Sequence, residues 1–597
     1  MSRKSRIFFD ALFVITIAVF LYVFISRMSC SVGMIDEVFN ISVANQLAQG
    51  AKPFVECWDL YQTGALFLAP FLYIYKLIIG STDGIILFSR YVFLFFNLVT
   101  VALSYLAFRR IIGKKAAILA GLFMLTFAPL SLYYPWYDSV GTNFMLIGLL
   151  LLVSGTQMQS KLYKNTAFIC AGFIHACMSI SYPQFVTIAL VLFVCTVLYA
   201  VFVDKKYNMP VYYVIGACIV LAAVFVYILA VGKSNIMLFD SEKMKLITAR
   251  SVKKTMNSYI NDIKHASTAT YKQLLPSLKL QLIPLCIYIV NRFAKKYLLN
   301  VINYLSIIIC AYITASKLGH YSTIAFFFLI GCWFILLVWD LPRDKMKFGF
   351  KMMLFFAPAA ILGYLMVSVT AAGADSKCML GAYVAAMLSV VYMSVSLTGR
   401  PIYRVKTAQA EDGDVNLNPG PTALSRIKTF ITSHEKQIKT FIICLVLVVA
   451  GACSIKIYNK VIFNSKLEVQ KFDTVTPDGI YKGIKLTQTE IDKTKKYEEA
   501  LKSSMQDGDE TIMIANENLI HGYLISDLKP ATRGLWSIYA NNSFAGTKKY
   551  FEEVSGEPDI IVRSASDKDF NEEVTKFVSE KYTQVYADGY CVIFHKK

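Results

Sequence analysis

Four carboxylates crowd one short stretch of this chain. Asp36 and Glu37 stand side by side, and Glu56 and Asp59 follow within "MIDEVFNISVANQLAQGAKPFVECWDLYQTG" (Met34–Gly64), just after the first long apolar run. A fifth, Asp138, closes "YYPWYD" (Tyr133–Asp138) where another apolar run begins. Ionisable groups at membrane depth are costly and are functional candidates by default. Together these five suggest a shallow acidic site under the outer surface, suited to general-base work on an acceptor hydroxyl or amine. The first two also have a plainer account. Val38, Ile41, Ala44, Leu47 and Ala48 keep helical spacing and Gly50 marks a stop, so Asp36 and Glu37 open a helix expected to lie against the membrane. There the helix dipole favours carboxylates by about 0.3–1 kcal/mol. That account leaves Glu56, Asp59 and Asp138 unexplained.

The elements that must position these groups follow from composition. The 597 residues are 56% hydrophobic and 17% charged, with a mean hydropathy of +0.51, which excludes a soluble globular protein. The fold class expected is a polytopic α-helical membrane protein of about thirteen spans with a C-terminal extracytoplasmic α/β domain. A net charge of +20 could point to nucleic acid, but Lys and Arg cluster in short segments between apolar runs, where they set orientation instead. Membrane lipids, and no nucleic acid, are the partners this implies. The 13 Cys show no metal-like spacing and fall mostly inside apolar runs, so neither a disulfide framework nor zinc is inferred.

Arg3, Lys4 and Arg6 place the N-terminus in the cytoplasm, with Ile7–Ile25 read as a retained first span. The loop from Arg27 to Gly64 is then outside. Making Ala65–Ile79 a full span would invert nearly every later basic segment, "RRIIGKK" (Arg109–Lys115) and "RDKMK" (Arg343–Lys347) among them, so it is assigned to the interface. The outer face then carries Tyr133–Asp138, a long loop from Lys233 to about Pro276, "SKLGHYS" (Ser316–Ser322) and everything beyond Tyr458. The expected organisation is a membrane domain over 1–399, a cytoplasmic linker over 400–440, a last span over 441–460 and the α/β domain over 461–597. In that domain helix-like "TEIDKTKKYEEALKSSM", "FAGTKKYFEEV" and "FNEEVTKFVSEKY" alternate with strand-like "TIMIA", "DIIVR", "TQVYA" and "YCVIFH".

Substrate-binding candidates follow from that layout. Val252, Met256, Tyr259, Ile260 and Ile263 form a helical apolar stripe with Arg250, Lys253, Lys254 and Lys264 around it, the pattern of an interfacial helix that either holds a phosphate or anchors to anionic lipid. Arg90, near the outer end of its span, either pairs with a site carboxylate or snorkels. His175, inside a span, is expected to make an interhelical hydrogen bond.

In order along the membrane region, "DEVFNISVANQLAQGAKP", "ALFLAPFLYIYKLIIG", "FSRYVFLFFNLVTVALSYLAF", "RRIIGKK", Asp138 and "GHYS" (Gly319–Ser322) resemble the GT-C glycosyltransferases. The branch resembled contains protein O-mannosyltransferases and the bacterial aminoarabinose transferases of lipid A. The resemblance implies inverting transfer of a sugar from a polyprenyl-phosphate donor to an outer-face acceptor (protein, lipid or glycan) at a bacterial plasma membrane. By that carry-over Asp36 is the catalytic base, Glu37 its neighbour in the site, and Asp138 a second carboxylate for acceptor positioning or metal contact. His320 and Tyr321 match a late "HY" pair, and Glu56 and Asp59 join Arg90, Lys253 and Lys254 as substrate-binding candidates. Whether a divalent metal sits at the acidic site stays open. Two departures, "YQTG" (Tyr61–Gly64) in place of Lys-Pro-Pro and "SYPQ" (Ser181–Gln184) where a basic residue is common, leave open how the carrier phosphate is held. A polysaccharide polymerase or ligase and a lipid or glycolipid transporter remain the rival classes, although no internal repeat supports a transporter.

Overall fold

A computed structural model of the chain describes residues 28–109 apart from 34 and 60–61, 135–247 apart from 206–207, 256–317 apart from 295–296, 347–368, and 472–597 apart from 536–543 and 567–569. It adds scattered positions of 11–26, 114–121, 329–333 and 384–390. Among the described residues four helices are long and apolar enough to cross a membrane: Ile85–Phe108, Tyr137–Gly155, Pro183–Asp204 and Asn208–Val231. The expected count of about thirteen is therefore not reached by what is described. The 400–440 linker and the 441–460 span lie outside the described residues.

Small residues bring these helices together. Lys161–Ser181 packs against both Tyr137–Gly155 and Asn208–Val231. It meets Asn208–Val231 backbone to backbone: a Cβ on Gly172 would stand 1.9 Å from the Tyr213 carbonyl oxygen, and one on Gly216 the same distance from that of Ile169. On the neighbouring face Gly148 leaves the space that the buried His175 ring fills. His175 Nδ1 lies 2.8 Å from the Tyr213 hydroxyl, the interhelical hydrogen bond expected of it.

Ala69–Ile79 is an 11-residue helix ended by Gly80 in the left-handed region (φ 74°). At about 1.5 Å per residue it is only about half as long as a hydrocarbon core is thick. Tyr73, Ile74, Leu77 and Ile78 are exposed along it, which fits the interfacial assignment. The acidic pair does open a helix, Asp36–Ala48. That helix departs from the expected one-sided amphipathic form, because Glu37 to Gln46 are buried without interruption, Asn40, Ser42, Asn45 and Gln46 included. The reason is a cover on its far side.

The cover is the C-terminal α/β unit, whose elements follow the expected alternation. A small antiparallel pair, β1 (Thr474–Val475) and β2 (Lys485–Leu486), precedes helix Gln488–Ser504, which Thr487 and Glu490 close with a capping box. The main sheet contains β3 (Thr511–Ile514), β4 (Lys529–Pro530), β5 (Ile560–Ser564), β6 (Tyr582–Ala587) and β7 (Cys591–Lys596) in the order β4-β3-β5-β7-β6. β4, β3 and β5 are parallel, and β7 and β6 add antiparallel. The apolar run of β3 suits its interior place between β4 and β5.

Polar contacts sew this unit to the membrane helices. Asp527, left-handed at φ 55°, accepts from Lys76 Nζ (2.8 Å), Asn45 Nδ2 (3.0 Å) and Gln49 Nε2 (2.8 Å). Thr82 Oγ1 donates to the Leu524 carbonyl (2.8 Å), and Gly84 N–H to that of Gly479 (2.9 Å). Residues 29–31 lie beside β2, with Lys485 N–H donating to Ser29 O and Ser31 N–H to Lys485 O.

His521 lies inside this unit, fully buried, with the Tyr497 ring 4.8 Å and the Tyr481 ring 6.2 Å away. Burial pushes its pKa down to about 4. Between that value and its ordinary 6.5 the unfolded chain binds the proton and the folded one does not, so stability is full above pH 6.5 and falls as pH drops toward 4. The loss expected at the lower limit is about 3 kcal/mol. Thermal unfolding of wild type and His521→Phe across that window should show a steeper acid decline for wild type. Parallel declines would contradict the assignment.

Candidate active site

The Asp36–Ala48 helix and the start of the Asp138 helix meet at the tetrapeptide Pro135–Asp138. Asp138 is the second residue of helix Tyr137–Gly155 and is buried, and Ser139 Oγ accepts from Trp136 N–H (2.8 Å), fixing the turn that presents it. The Asp36–Ala48 helix reaches this tetrapeptide through two side chains. Asn40 Nδ2 donates to the Pro135 carbonyl, and the Phe39 ring lies 6.2 Å from that of Trp136. Residues three and four apart share a helix face, so half-buried Asp36 stands one turn before the residues that touch Pro135 and Trp136.

The segment "YQTG" provides a third wall. Gly64 packs onto Tyr137 so closely that a Cβ would stand 2.4 Å from the Tyr137 Cα, and Thr63 Oγ1 donates to the Ser181 carbonyl (3.0 Å). Ser181 Oγ in turn donates to Tyr137 O (2.8 Å), and the Tyr182 ring lies 5.3 Å from that of Tyr137. Both segments that depart from the resembled pattern are thus packed around the start of the Asp138 helix. Gln62 is a clamp: its Nε2 donates to the carbonyls of Cys57 and Asp59, and its Oε1 accepts from Phe54 N–H. Asp59, three residues earlier, is buried beside Trp58 and Cys57. Burial, then the Asp59 charge, push the Cys57 thiol up to about 12, so it stays a neutral packing group.

This architecture can be compared with known proteins. No protein-family model and no curated protein matches the sequence. Among solved structures, ArnT from Cupriavidus metallidurans in the apo state matches 98% of this chain and 98% of that one, at 11% identity and a TM-score of 0.54. The same protein bound to undecaprenyl phosphate matches 97% of each chain, at 12% identity and a TM-score of 0.51. The chain has the GT-C fold. The archaeal oligosaccharyltransferase AglB from Archaeoglobus fulgidus is more distant, with 11% identity and a TM-score of 0.43 over 94% of this chain and 70% of that one.

Within this GT-C fold two expected roles change. Glu37 is fully buried, and its carboxylate accepts from Arg90 Nε (2.6 Å), Arg90 Nη2 (2.7 Å) and Gly33 N–H (2.9 Å). The rest of the Arg90 guanidinium donates to the carbonyls of Met28, Cys30 and Ser31. Of the two alternatives for Arg90, pairing with a site carboxylate is the one found. The pair ties the acidic helix to the Ile85–Phe108 span and to residues 28–31. Neither Glu37 nor Arg90 therefore has the open face that a catalytic neighbour or a substrate ligand needs.

Glu56 is also placed structurally. Its side chain accepts from Lys52 N–H (3.0 Å), and its carbonyl accepts from the Tyr550 hydroxyl (2.6 Å), beneath the edge-on pair of Trp58 and Tyr550. Lys253, Lys254, His320 and Tyr321 lie outside the described residues. Among the described residues no three His, Cys, Asp or Glu side chains gather as a metal ligand set, and no step below is routed through a metal.

One contact near the acidic loop carries no sequence signal. The α/β unit reaches the acidic loop through the turn after β4, where a Cβ on Gly534 would stand 3.3 Å from Asp59 Oδ2. Arg533 beside it is 6% exposed.

Proposed function

We propose that the protein transfers a sugar from a polyprenyl-phosphate donor to an acceptor at the outer face of the membrane, with inversion and with Asp36 as the base. The observation that supports this reading is the contact of the Asp36–Ala48 helix, through Phe39 and Asn40, with Trp136 and Pro135 at the start of the Asp138 helix. In support, the fold is shared with ArnT, one structure of which holds undecaprenyl phosphate.

The chemistry follows from this chain's own groups. An acceptor hydroxyl or amine attacks the anomeric carbon, its proton passes to the Asp36 carboxylate, and the bond from that carbon to the phosphate oxygen breaks. Polyprenyl phosphate leaves with the bonding electrons. Asp138, buried in a tyrosine-lined wall, orients the acceptor by accepting a hydrogen bond from it. Both helix starts favour negative charge, by about 0.3–1 kcal/mol each. Lys253 and Lys254 are retained as candidates for the carrier phosphate.

Incubating the purified chain with a panel of lipid-phosphate sugars and following each by mass spectrometry tests the reading. Consumption of one donor in the presence of an acceptor is expected, and consumption of none would remove it. The same reading places the α/β unit outside and the linker inside. An impermeant maleimide added to intact cells should label Asp507→Cys, which is exposed, and should reach Asp414→Cys only after permeabilisation. Labelling of Asp414→Cys from outside would sink the topology.

A further inference from the structure

We infer that the C-terminal α/β unit carries a saccharide site of its own, a cavity between the β1–β2 hairpin and helix Gln488–Ser504 that takes one uncharged or amine-bearing sugar residue of an outer-face glycan. It rests on the glycosyltransfer reading only for placing this unit outside the membrane. The cavity measures about 320 Å³, at the lower end of the ~300–1,000 Å³ typical of small-molecule sites.

The hairpin shapes one wall. Thr476 N–H donates to Ile484 O (2.8 Å) and Gly483 N–H to Thr476 O (2.9 Å), so both backbone groups of Thr476 are spent across the hairpin. What remains to it is its hydroxyl. Thr476 lines the cavity at only 7% exposure, and its Oγ1 is buried with no hydrogen-bond partner among the described residues. A buried hydroxyl left unpaired is costly, and a ligand hydroxyl in the cavity relieves that cost. The turn beyond it bends through Gly479 (φ 67°), where a Cβ would stand 3.0 Å from Glu498 Oε2. The bare glycine lets the hairpin close on the helix. Gly479 O also accepts from Gly84 N–H, which fixes this wall to the start of the Ile85–Phe108 span.

The class of ligand follows from the lining. Three carboxylates, Asp478, Asp492 and Glu498, line the cavity against one amine, Lys495. That balance repels a phosphate or a uronate. Two of the carboxylates are held in place: Asp492 Oδ1 accepts from Gln488 Nε2 (2.7 Å) and Glu498 Oε1 from Lys502 Nζ (2.6 Å). Ionised carboxylates only accept, so the ligand must be rich in donors, hydroxyls or an amine. Tyr481, Leu486 and Ile491 add an apolar surface that suits the C–H face of a ring. A sugar residue offers both. A divalent cation does not meet the same description, because no three His, Cys, Asp or Glu side chains gather as a ligand set among the described residues.

The test uses the full-length purified protein, with methyl glycosides of a neutral hexose, an amino sugar and a uronic acid as separate probes and spermidine as an amine without a ring. Saturation-transfer NMR and titration calorimetry read binding. The neutral glycoside, the amino one or both should bind, and the uronide and spermidine should not. Thr476→Val keeps the shape of the side chain without its hydroxyl and should weaken binding about 3- to 10-fold, the worth of one neutral hydrogen bond. Asp478→Asn, at an exposed position where the fold is not at stake, should weaken it by about 10-fold, as for a hydrogen bond to a charged group. Unchanged affinity in either variant that folds would put the glycoside elsewhere and overturn the proposal. So would binding of none of the glycosides, or binding of the uronide or spermidine as tightly as the neutral and amino sugars. Donor consumption keeps the two readings apart. A chain that consumes a lipid-phosphate sugar but binds no glycoside through Thr476 loses the saccharide site and keeps the activity, and one that binds the glycoside but consumes no donor does the reverse.

Discussion

Asp36→Asn is expected to fold, to bind donor, and to lose turnover by about 10²–10⁴-fold, the range for removal of a general base. Asn keeps the size of Asp and is itself favoured at a helix start, so a role confined to opening the Asp36–Ala48 helix would leave transfer near normal. Initial rates at saturating donor separate the two outcomes, with donor affinity measured alongside. Asp138→Asn, by contrast, should raise the Michaelis constant for the acceptor more than that for the donor, as the acceptor-orienting role proposed for it requires.

The second large effect is on folding. Glu37→Gln leaves the Arg90 guanidinium buried without its counter-charge, and breaking such a pair from one side costs about 3–5 kcal/mol. Domains are stable by only about 5–15 kcal/mol, so yield and thermal midpoint in detergent should both drop sharply. Replacing both partners, as Glu37→Gln with Arg90→Met, should recover part of the loss because no unpaired charge remains. A single variant as stable as wild type would contradict the structural assignment of Glu37. The two variants thus separate the adjacent carboxylates: Asp36→Asn is expected to lower the rate and Glu37→Gln the stability.

How far these roles could be read from the sequence depends on how local their causes are. The helix of Asp36, the start of the Asp138 helix and the strands around "TIMIA" and "DIIVR" follow from spacing within a few residues, and the sequence expectation met them. The burial of Asn45 and Gln46 on the far side of that helix did not follow. Its cause is the unit that carries Asp527, 482 residues further on, and nothing in the local pattern announces a cover. Glu37 and Arg90 are 53 residues apart, and charge alone left pairing and snorkelling equally open until the carbonyls of Met28 and Ser31 were seen to take the remaining donors. The approach of Gly534 to Asp59 is the extreme case. Gly534 stands in a short turn with no periodicity, and the contact follows from the core that Trp58 shares with Ala531.

The lipid product tests the central claim most directly. Purified protein, given a polyprenyl-phosphate sugar and an acceptor, should release polyprenyl monophosphate in equal amount to glycosylated acceptor, and Asp36→Asn should release almost none in the same time. Mass spectrometry of the lipid fraction reads both. Activity only with a pyrophosphate-linked oligosaccharide would make the protein a polymerase or ligase, and movement of intact donor across the bilayer without release of any lipid phosphate would make it a transporter. Either result would contradict the account.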